Sequence, residues 1–346
     1  MPVTVFMKGW VTGMTEFANL LNGFFNKYLC MQRGVSSNTI RTYRDGFVQL
    51  LQYLREEHNL RPDRIKMEDI DANTISLFLD WLEEVKLVSV STRNSRLAAM
   101  KSFYRYVSYN EPRYLERCSA ILSLRQKKSE TKPVNYLTVD AVKHLLSIFD
   151  CTNVRQFRDL CIISLLYESG ARVSELINVK TAELREQPPY TVILHGKGNK
   201  TRIIPLDKSL AKMLAKYIQR NGLSGNDYLF FNSRNEHLTR EGVNYILQTY
   251  FKRAKTLRPD LFPKTISPHI LRHSRAMHLL ENGVNLIYIR DLLGHTSVIT
   301  TEIYAKANPE VKRKHIEAAT KELIGEHRDY SDCEKDRLLT WLSSLG

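Results

Sequence analysis

Four successive stretches in the first third of the chain place apolar residues three and four positions apart. That period closes into one stripe on a helix and into nothing on a strand. In TEFANLLNGFFNKYL the stripe is Phe17, Leu20, Leu21, Phe24 and Tyr28. In SSNTIRTYRDGFVQLLQYLRE it is Ile40, Tyr43, Phe47, Leu50 and Leu54, behind a serine cap. DANTISLFLDWLEEV and STRNSRLAAMKSFYRYV repeat the pattern with Asp71 and Ser91 as expected caps. Amphipathic helices of this length with short connections bury their stripes against one another, so residues 14–122 are expected to form a four-helix bundle.

The segment SLRQKKSETKPVNYLT, Ser123 to Thr138, is polar, basic and proline-bearing, the composition of a linker, and residues 123–137 are assigned that role. Helical patterning resumes at Thr138 in TVDAVKHLLSIF. A longer run, FRDLCIISLLYESGARVSELINV, is broken at Gly170. YTVILHGKGNKTRIIPL then sets two β-branched runs around Gly-Lys-Gly-Asn, a hairpin signal, and the pattern is mostly helical again to about Gly325. The expected fold is therefore mainly α with a small β-sheet. Residues 138–326 form the second domain, residues 1–13 an extension and residues 327–346 a tail.

The 346 residues carry 51 Lys and Arg against 37 Asp and Glu, a net charge of +14. Such a surplus attracts polyanions at long range, nucleic acid first and anionic membrane surface second. No apolar run approaches the ~18 residues of a membrane span. The five cysteines, Cys30, Cys118, Cys151, Cys161 and Cys333, form no C-x-x-C pair and are odd in number, which argues against a disulfide framework and suits a reducing cytoplasm. On the bundle, Arg41 and Arg44 of the second helix and Arg93, Arg96, Lys101 and Arg105 of the fourth are placed off the apolar stripes. Charges so placed are a solvated face more often than not. Two basic helices flanking two more acidic ones favour a phosphate-gripping surface.

Four short stretches of the second domain each have an ordinary explanation. GARVSEL sets Arg172 three residues before Glu175, a common surface pair. HGKGNKT lacks the full G-x-x-x-x-G-K-[ST] pattern and leads into a strand, so Lys197 or Lys200 sits on a charged turn or projects from it. In SPHILRHSRAMHLL, His269 and Arg272 share a helical face. His269 and His273 are four apart, but Ile270 occupies the glutamate position of H-E-x-x-H, so metal ligation is not expected. LLGHTSVITTEIYAKA holds His295 and Tyr304, for which core positions are the default. Taken together they supply two arginines, a lysine, two histidines and a tyrosine in one basic domain, and one chemistry uses all of them. A phenol attacks a phosphodiester. Guanidinium forks hold the charge that develops on the phosphoryl oxygens, lysine protonates the departing oxygen, and histidine moves protons. Neither a metal nor any other cofactor is required.

These blocks, SGARVSELINV, HGKGNKTRIIPL and PHILRHSRAMHLLENGVNLIYIRDLLGHTSVITTEIYAKAN, resemble those of the tyrosine recombinases, the phage integrase family, over roughly Thr15 to Ala319. The wording is similar to that of Xer-type and transposon-borne members. The resemblance implies an N-terminal SAM-like core-binding domain and an α-rich catalytic domain that clamp DNA in a C shape. It assigns Arg172 and Arg272 to the scissile phosphate, Lys197 to general acid, and His269 to acid-base transfer. His295 would hydrogen-bond near the phosphate, Tyr304 would be the nucleophile, and Glu175 would buttress the site. Lys200 ranks below Lys197 because the family's lysine lies between two glycines. The implied partners are double-stranded DNA recombination sites and further copies, a homotetramer or a heterotetramer with a related recombinase, in a bacterial cytoplasm at the nucleoid. Leu338, Leu339, Trp341, Leu342 and Leu345 of the tail either pack on their own domain or dock on a neighbouring protomer. Integration or excision of a mobile element is the expected role. Dimer resolution, type IB topoisomerase-like relaxation, a silent DNA-binding regulator and a metal hydrolase are the alternatives. Two features depart from the family pattern, a longer proline-bearing KTAELREQPPY and Arg275 where many relatives carry an aromatic residue.

Overall fold

The computed structural model describes residues 15–128, 134–196, 200–295, 297, 301–304, 313 and 332–345. The chain divides into two compact units, residues 1–131 and 132–346.

The first unit begins with α1 (Glu16–Gly23), capped by the Thr15 hydroxyl on the Ala18 N–H, and continues without a break into a wider π-helical stretch, Phe24–Gln32. α2 (Ser37–His58) is capped by Ser36 and ends at Asn59 in the left-handed conformation, where a short polar side chain is tolerated. Asp71 caps α3 (Ala72–Glu84) as expected. α4 (Val90–Asn110) starts two residues earlier than the sequence suggested. Ser89, not Ser91, receives the Thr92 N–H, because the spacing of three from hydroxyl to amide that closes a cap is met there. A fifth helix, α5 (Leu115–Ser123), was not anticipated; it folds back on α4 and buries Cys118 and Ile121. The core is aromatic. Phe24 lies within 6.4 Å, centroid to centroid, of Phe25, Tyr28, Tyr43, Phe47, Phe103 and Tyr106, tying the π-helical stretch to α2 and α4.

In the second unit, Thr138 caps α6 (Val139–Ser147). α7 (Val154–Ser169) is almost wholly buried from Leu160 to Leu166 and is the axis on which the unit is built. It stops at Gly170, whose φ of 57° suits a residue without a Cβ, and the four-residue helix α8 (Val173–Leu176) follows. The hairpin is β2 (Thr191–His195) and β3 (Thr201–Pro205), antiparallel, with Thr191 opposite Pro205 and His195 opposite Thr201. A short strand the sequence did not signal, β1 (Leu184–Arg185), adds to the outer side of β2. α9 (Lys208–Asn221), α10 (Arg240–Leu257), α11 (Pro268–Glu281) and α12 (Leu286–Leu293) complete the described core. The entry to α6 is pinned to α11, since Ser274 Oγ accepts the Leu137 N–H at 2.8 Å and His278 Nε2 lies 2.8 Å from the Leu137 carbonyl. Residues 301–304 are helical, and α13 (Asp332–Ser343) lies in the tail. No helix among the described residues is long and apolar enough to cross a membrane.

Candidate active site

The site begins where α7 ends. Past Gly170 the chain turns so that Arg172 precedes α8 and Glu175 falls in its first turn. The Glu175 carboxylate reaches back to the Arg172 N–H at 2.7 Å and accepts the Arg172 guanidinium at 2.9 Å. This is not the surface pair that spacing alone suggested. Glu175 is buried, and Arg202 of β3 closes on it from the other side with bonds of 3.1 and 2.7 Å. Burial raises the carboxyl pKa, but the bonds from Arg202 and from the backbone and side chain of Arg172 outweigh it and hold the group below the ordinary glutamate range. The group stays ionised because four N–H bonds replace the water it lost. Gly196, first glycine of the hairpin tip, passes so close that a Cβ there would stand 3.2 Å from the Glu175 carboxylate.

The other wall is the C-terminal end of α12. A helix leaves its last carbonyls without intrahelical donors, and they carry the negative end of its dipole. Three consecutive ones are each taken by a different arginine. Leu292 accepts from Arg202 Nε at 2.8 Å, Leu293 from Arg272 Nη2, and Gly294 from Arg172 Nη2 at 3.4 Å. Arg272, 3% exposed on α11, also donates from Nη1 to the Gly170 carbonyl at 2.6 Å. The two guanidiniums are thus positioned by the ends of α7 and α12, with N–H groups left on each fork. Burial, then the Arg172 charge, push the Arg272 pKa down to about 10. Cations crowded under so little water form a pocket that favours an anion.

His295 and Tyr304 complete the cluster. His295 follows the left-handed Gly294, its N–H returning to the Arg290 carbonyl and its Nδ1 lying 3.0 Å from the Thr301 hydroxyl. Its ring stacks nearly parallel to Tyr304, centroids 6.5 Å apart. Burial, then Arg272 and Arg172, lower its pKa to about 4, so the imidazole is neutral near pH 7. Tyr304 is fully buried against Ala276, Met277, Ile289 and Leu293, the core position that is any tyrosine's default. Its hydroxyl is nonetheless engaged, lying 2.9 Å from His273 Nδ1. Burial raises the phenol pKa while Arg272 and Arg172 draw it down. His269 is exposed one turn before His273, with rings 6.5 Å apart, and desolvation and the two arginines lower its pKa.

The structure brings Arg172, Glu175, His269, Arg272, His295 and Tyr304 together, although 132 residues of sequence separate the first from the last. Lys197 lies outside the described residues. Lys200 is exposed, and its carbonyl accepts the Gly196 N–H at 2.8 Å. Two residues were missed. Arg202 reads in sequence as one more cation on a strand, and His273 reads there only as a metal partner of His269. Its place beside Arg272 was the available signal.

On the first unit Arg41, Arg44 and Arg105 are exposed, as their places off the apolar stripes predict. Arg93 is a correction. It is buried, with Nε 3.0 Å from Glu83 and Nη2 4.0 Å from Asp80 of α3, so its charge serves the packing of α3 on α4 and not a solvated face. Arg96 is half-buried and bridges to α2 through Gln49 at 2.7 Å and the Thr42 carbonyl at 2.9 Å. Lys101 is also half-buried, and desolvation followed by Arg105 lowers its pKa.

A profile of the phage integrase family matches residues 135–310, and one of the phage integrase N-terminal SAM-like domain matches residues 22–109. An integrase/recombinase of Sinorhizobium fredii, y4rC, is 34% identical over 97% of this chain and 100% of its own length. The tyrosine recombinase XerD of Listeria innocua is 31% identical over 83% of this chain and 93% of its own. Among solved structures, the XerH site-specific recombinase in a post-cleavage complex with a palindromic difH substrate aligns with a TM-score of 0.65 at 22% identity, covering 83% of this chain and 80% of that one. The Tn1549 transposon integrase in complex with transposon right end DNA aligns with a TM-score of 0.66 at 19% identity, covering 86% and 98%.

Proposed function

Since the chain belongs to the phage integrase family of tyrosine recombinases, whose members cleave and rejoin DNA, we propose that it is a site-specific recombinase working through a covalent 3′-phosphotyrosine intermediate at Tyr304. The observation that carries this reading is the convergence of Arg172, Arg272 and Tyr304 at the end of α12, where the two forks take the Gly294 and Leu293 carbonyls and the tyrosine packs in one cluster with Leu293.

In this reading the scissile phosphate enters the cationic pocket and takes up N–H groups on the forks of Arg172 and Arg272, whose other donors are fixed by Glu175 and by the ends of α7 and α12. The forks are thereby held in place before substrate arrives and meet the charge of the pentavalent transition state without reorganising. Neutral His295, stacked on the tyrosine and held by Thr301, donates a hydrogen bond to a phosphoryl oxygen. Solvent-facing His269 exchanges protons at the phosphate. Lys197 protonates the departing 5′ oxygen; support for this comes from Gly196, its immediate neighbour, which packs against Glu175. Residues 14–122 serve as the core-binding domain, with Arg41, Arg44 and Arg105 on phosphates, 123–137 as linker and 138–326 as the catalytic domain.

The biological role we propose is integration or excision of a mobile element by a tetramer on two DNA sites. The full-length match to the S. fredii integrase/recombinase supports the role. The tetramer finds support in α13, which leaves Leu339, Trp341 and Leu342 more than half exposed, as is Leu345 just beyond it, an apolar surface suited to a neighbouring protomer.

The test is covalent trapping on nicked duplexes tiling the DNA that flanks the encoding gene. Wild type is expected to give a protein–DNA adduct resistant to denaturant on at least one duplex. Tyr304→Phe should bind the same duplex with unchanged affinity and give none. An adduct formed by Tyr304→Phe would remove the tyrosine from the mechanism.

A further inference from the structure

The Tyr304 hydroxyl has one described hydrogen-bond partner, and it is none of the groups assigned to the phosphate. His273 Nδ1 lies 2.9 Å from it, with ring centroids 5.7 Å apart. Of the other imidazoles, His295 meets the tyrosine face to face and has its Nδ1 on Thr301, while the His269 ring is set 6.5 Å from that of His273 and is exposed. We propose that His273 is a catalytic residue that holds the nucleophilic oxygen and takes its proton as the tyrosine attacks. The inference rests on the phosphotyrosine reading given above.

The proposal fixes the roles. The phenol donates through its single O–H, Nδ1 accepts, and the imidazole proton sits on Nε2. The backbone fixes the pair. His273 follows Arg272 on α11, whose guanidinium is tied to the Gly170 and Leu293 carbonyls, and Tyr304 is buried in a small apolar cluster with Ala276 and Met277 of the same helix. The hydroxyl and the arginine fork are therefore registered to one rigid element. Facing the pair are His269 and Arg272 from α11, Arg172 from the turn before α8, and His295 across the tyrosine ring. Desolvation, then His269 and Arg272, lower the His273 pKa from its ordinary value, which keeps the ring neutral and able to accept a proton near pH 7.

The step balances without any further reactant. A lone pair of Tyr304 Oη forms the O–P bond, the P–O5′ bond breaks with its electrons on the 5′ oxygen, and the phenolic proton moves to His273 Nδ1. The 5′ oxygen takes its proton from the general acid, for which Lys197 is proposed. On rejoining, the 5′ hydroxyl attacks phosphorus and returns its proton to that acid, while the tyrosine oxygen leaves and recovers the proton from His273. Near pH 7 the imidazolium exists only while the tyrosine is esterified, beside the phosphoryl charge that stabilises it.

Two measurements on the full chain test this. In protein carrying 13C at the tyrosine ζ-carbons, the Tyr304 signal, identified by its loss in Tyr304→Phe, is expected to shift as pH falls from 7 through the depressed His273 pKa and its partner protonates. In His273→Asn, whose amide oxygen stands near the Nδ1 position but cannot take up a proton, that shift should be absent. A Tyr304 signal unchanged over this range in wild type would overturn the contact without reference to DNA. On a duplex trapped by wild type, His273→Asn should cleave about 100-fold more slowly, the low end of general-base effects. It should bind the duplex equally and lose most of the fall in rate that wild type shows in acid. The same duplex with sulfur at the bridging 5′ position, whose leaving group needs no proton, should not restore the rate. Restoration would assign His273 to the leaving group and overturn the proposal. Cleavage by His273→Asn at the wild-type rate and pH profile would overturn it while leaving the recombinase reading intact. Absence of an adduct from wild type on every duplex would overturn both.

Discussion

Replacing Arg202 by methionine removes one half of the buried ion pair on which the arrangement of arginines depends. The side chain is 11% exposed and the Glu175 side chain 3%, so neither group is rescued by water when the other is lost. Arg202 makes two bonds to the carboxylate and one to the Leu292 carbonyl. Removing one partner of a buried pair costs about 3–5 kcal/mol, and the lower end applies because Glu175 keeps its bonds from Arg172. The Leu292 carbonyl adds about 1 kcal/mol, and methionine retains most of the apolar stem. The sum, about 4 kcal/mol, converts at 2–4 °C per kcal/mol to a fall of roughly 8–16 °C in the melting transition of the second unit. Scanning calorimetry of the full chain resolves it, since the first unit contains neither residue. Combining Arg202→Met with Glu175→Gln should show a coupling energy of at least about 1.5 kcal/mol. The difference between Arg202→Met and wild type should also narrow in acid. The folded Glu175 pKa is depressed, so the pair's contribution is complete above the unfolded value near ~4.3 and fades as pH falls through the folded one. A loss below about 1 kcal/mol at pH 7, or coupling near zero, would refute the claim that this pair holds the site together.

Gly294→Ala is expected to destabilise the same transition by more than about 1 kcal/mol, because φ is 63° and the new Cβ would stand 3.0 Å from Arg202 Nη1. Circular dichroism melts check the direction and size. A chain ending at Arg328, lacking α13, should retain duplex binding in gel-shift assays yet fail to form the four-protomer species with site DNA in size-exclusion chromatography. Unchanged assembly would remove the tail from the protomer contacts.

The local grammar of the chain carried much of this structure. The caps at Thr15, Asp71 and Thr138, the stop at Gly170 and the two strands around the glycine-rich turn are each decided within a few residues, by a side-chain oxygen meeting an amide or by the absence of a Cβ. The residues proposed for catalysis were legible for a related reason, since their chemical types and order fit one reaction even before their positions were known. Contacts across the fold were not legible. Arg93 looked as exposed as Arg105, yet its helix rotates it onto Glu83 of α3, and nothing in its own neighbourhood of sequence foretells that. Arg202 became the counter-ion of a buried glutamate 27 residues away, and His273 became the partner of a tyrosine 31 residues away. One amino-acid order therefore determined which groups the protein carries and where its helices begin. The packing of α11, α12 and the hairpin determined which of those groups meet, because burial and hydrogen-bond geometry act through distances in space that local periodicity does not encode.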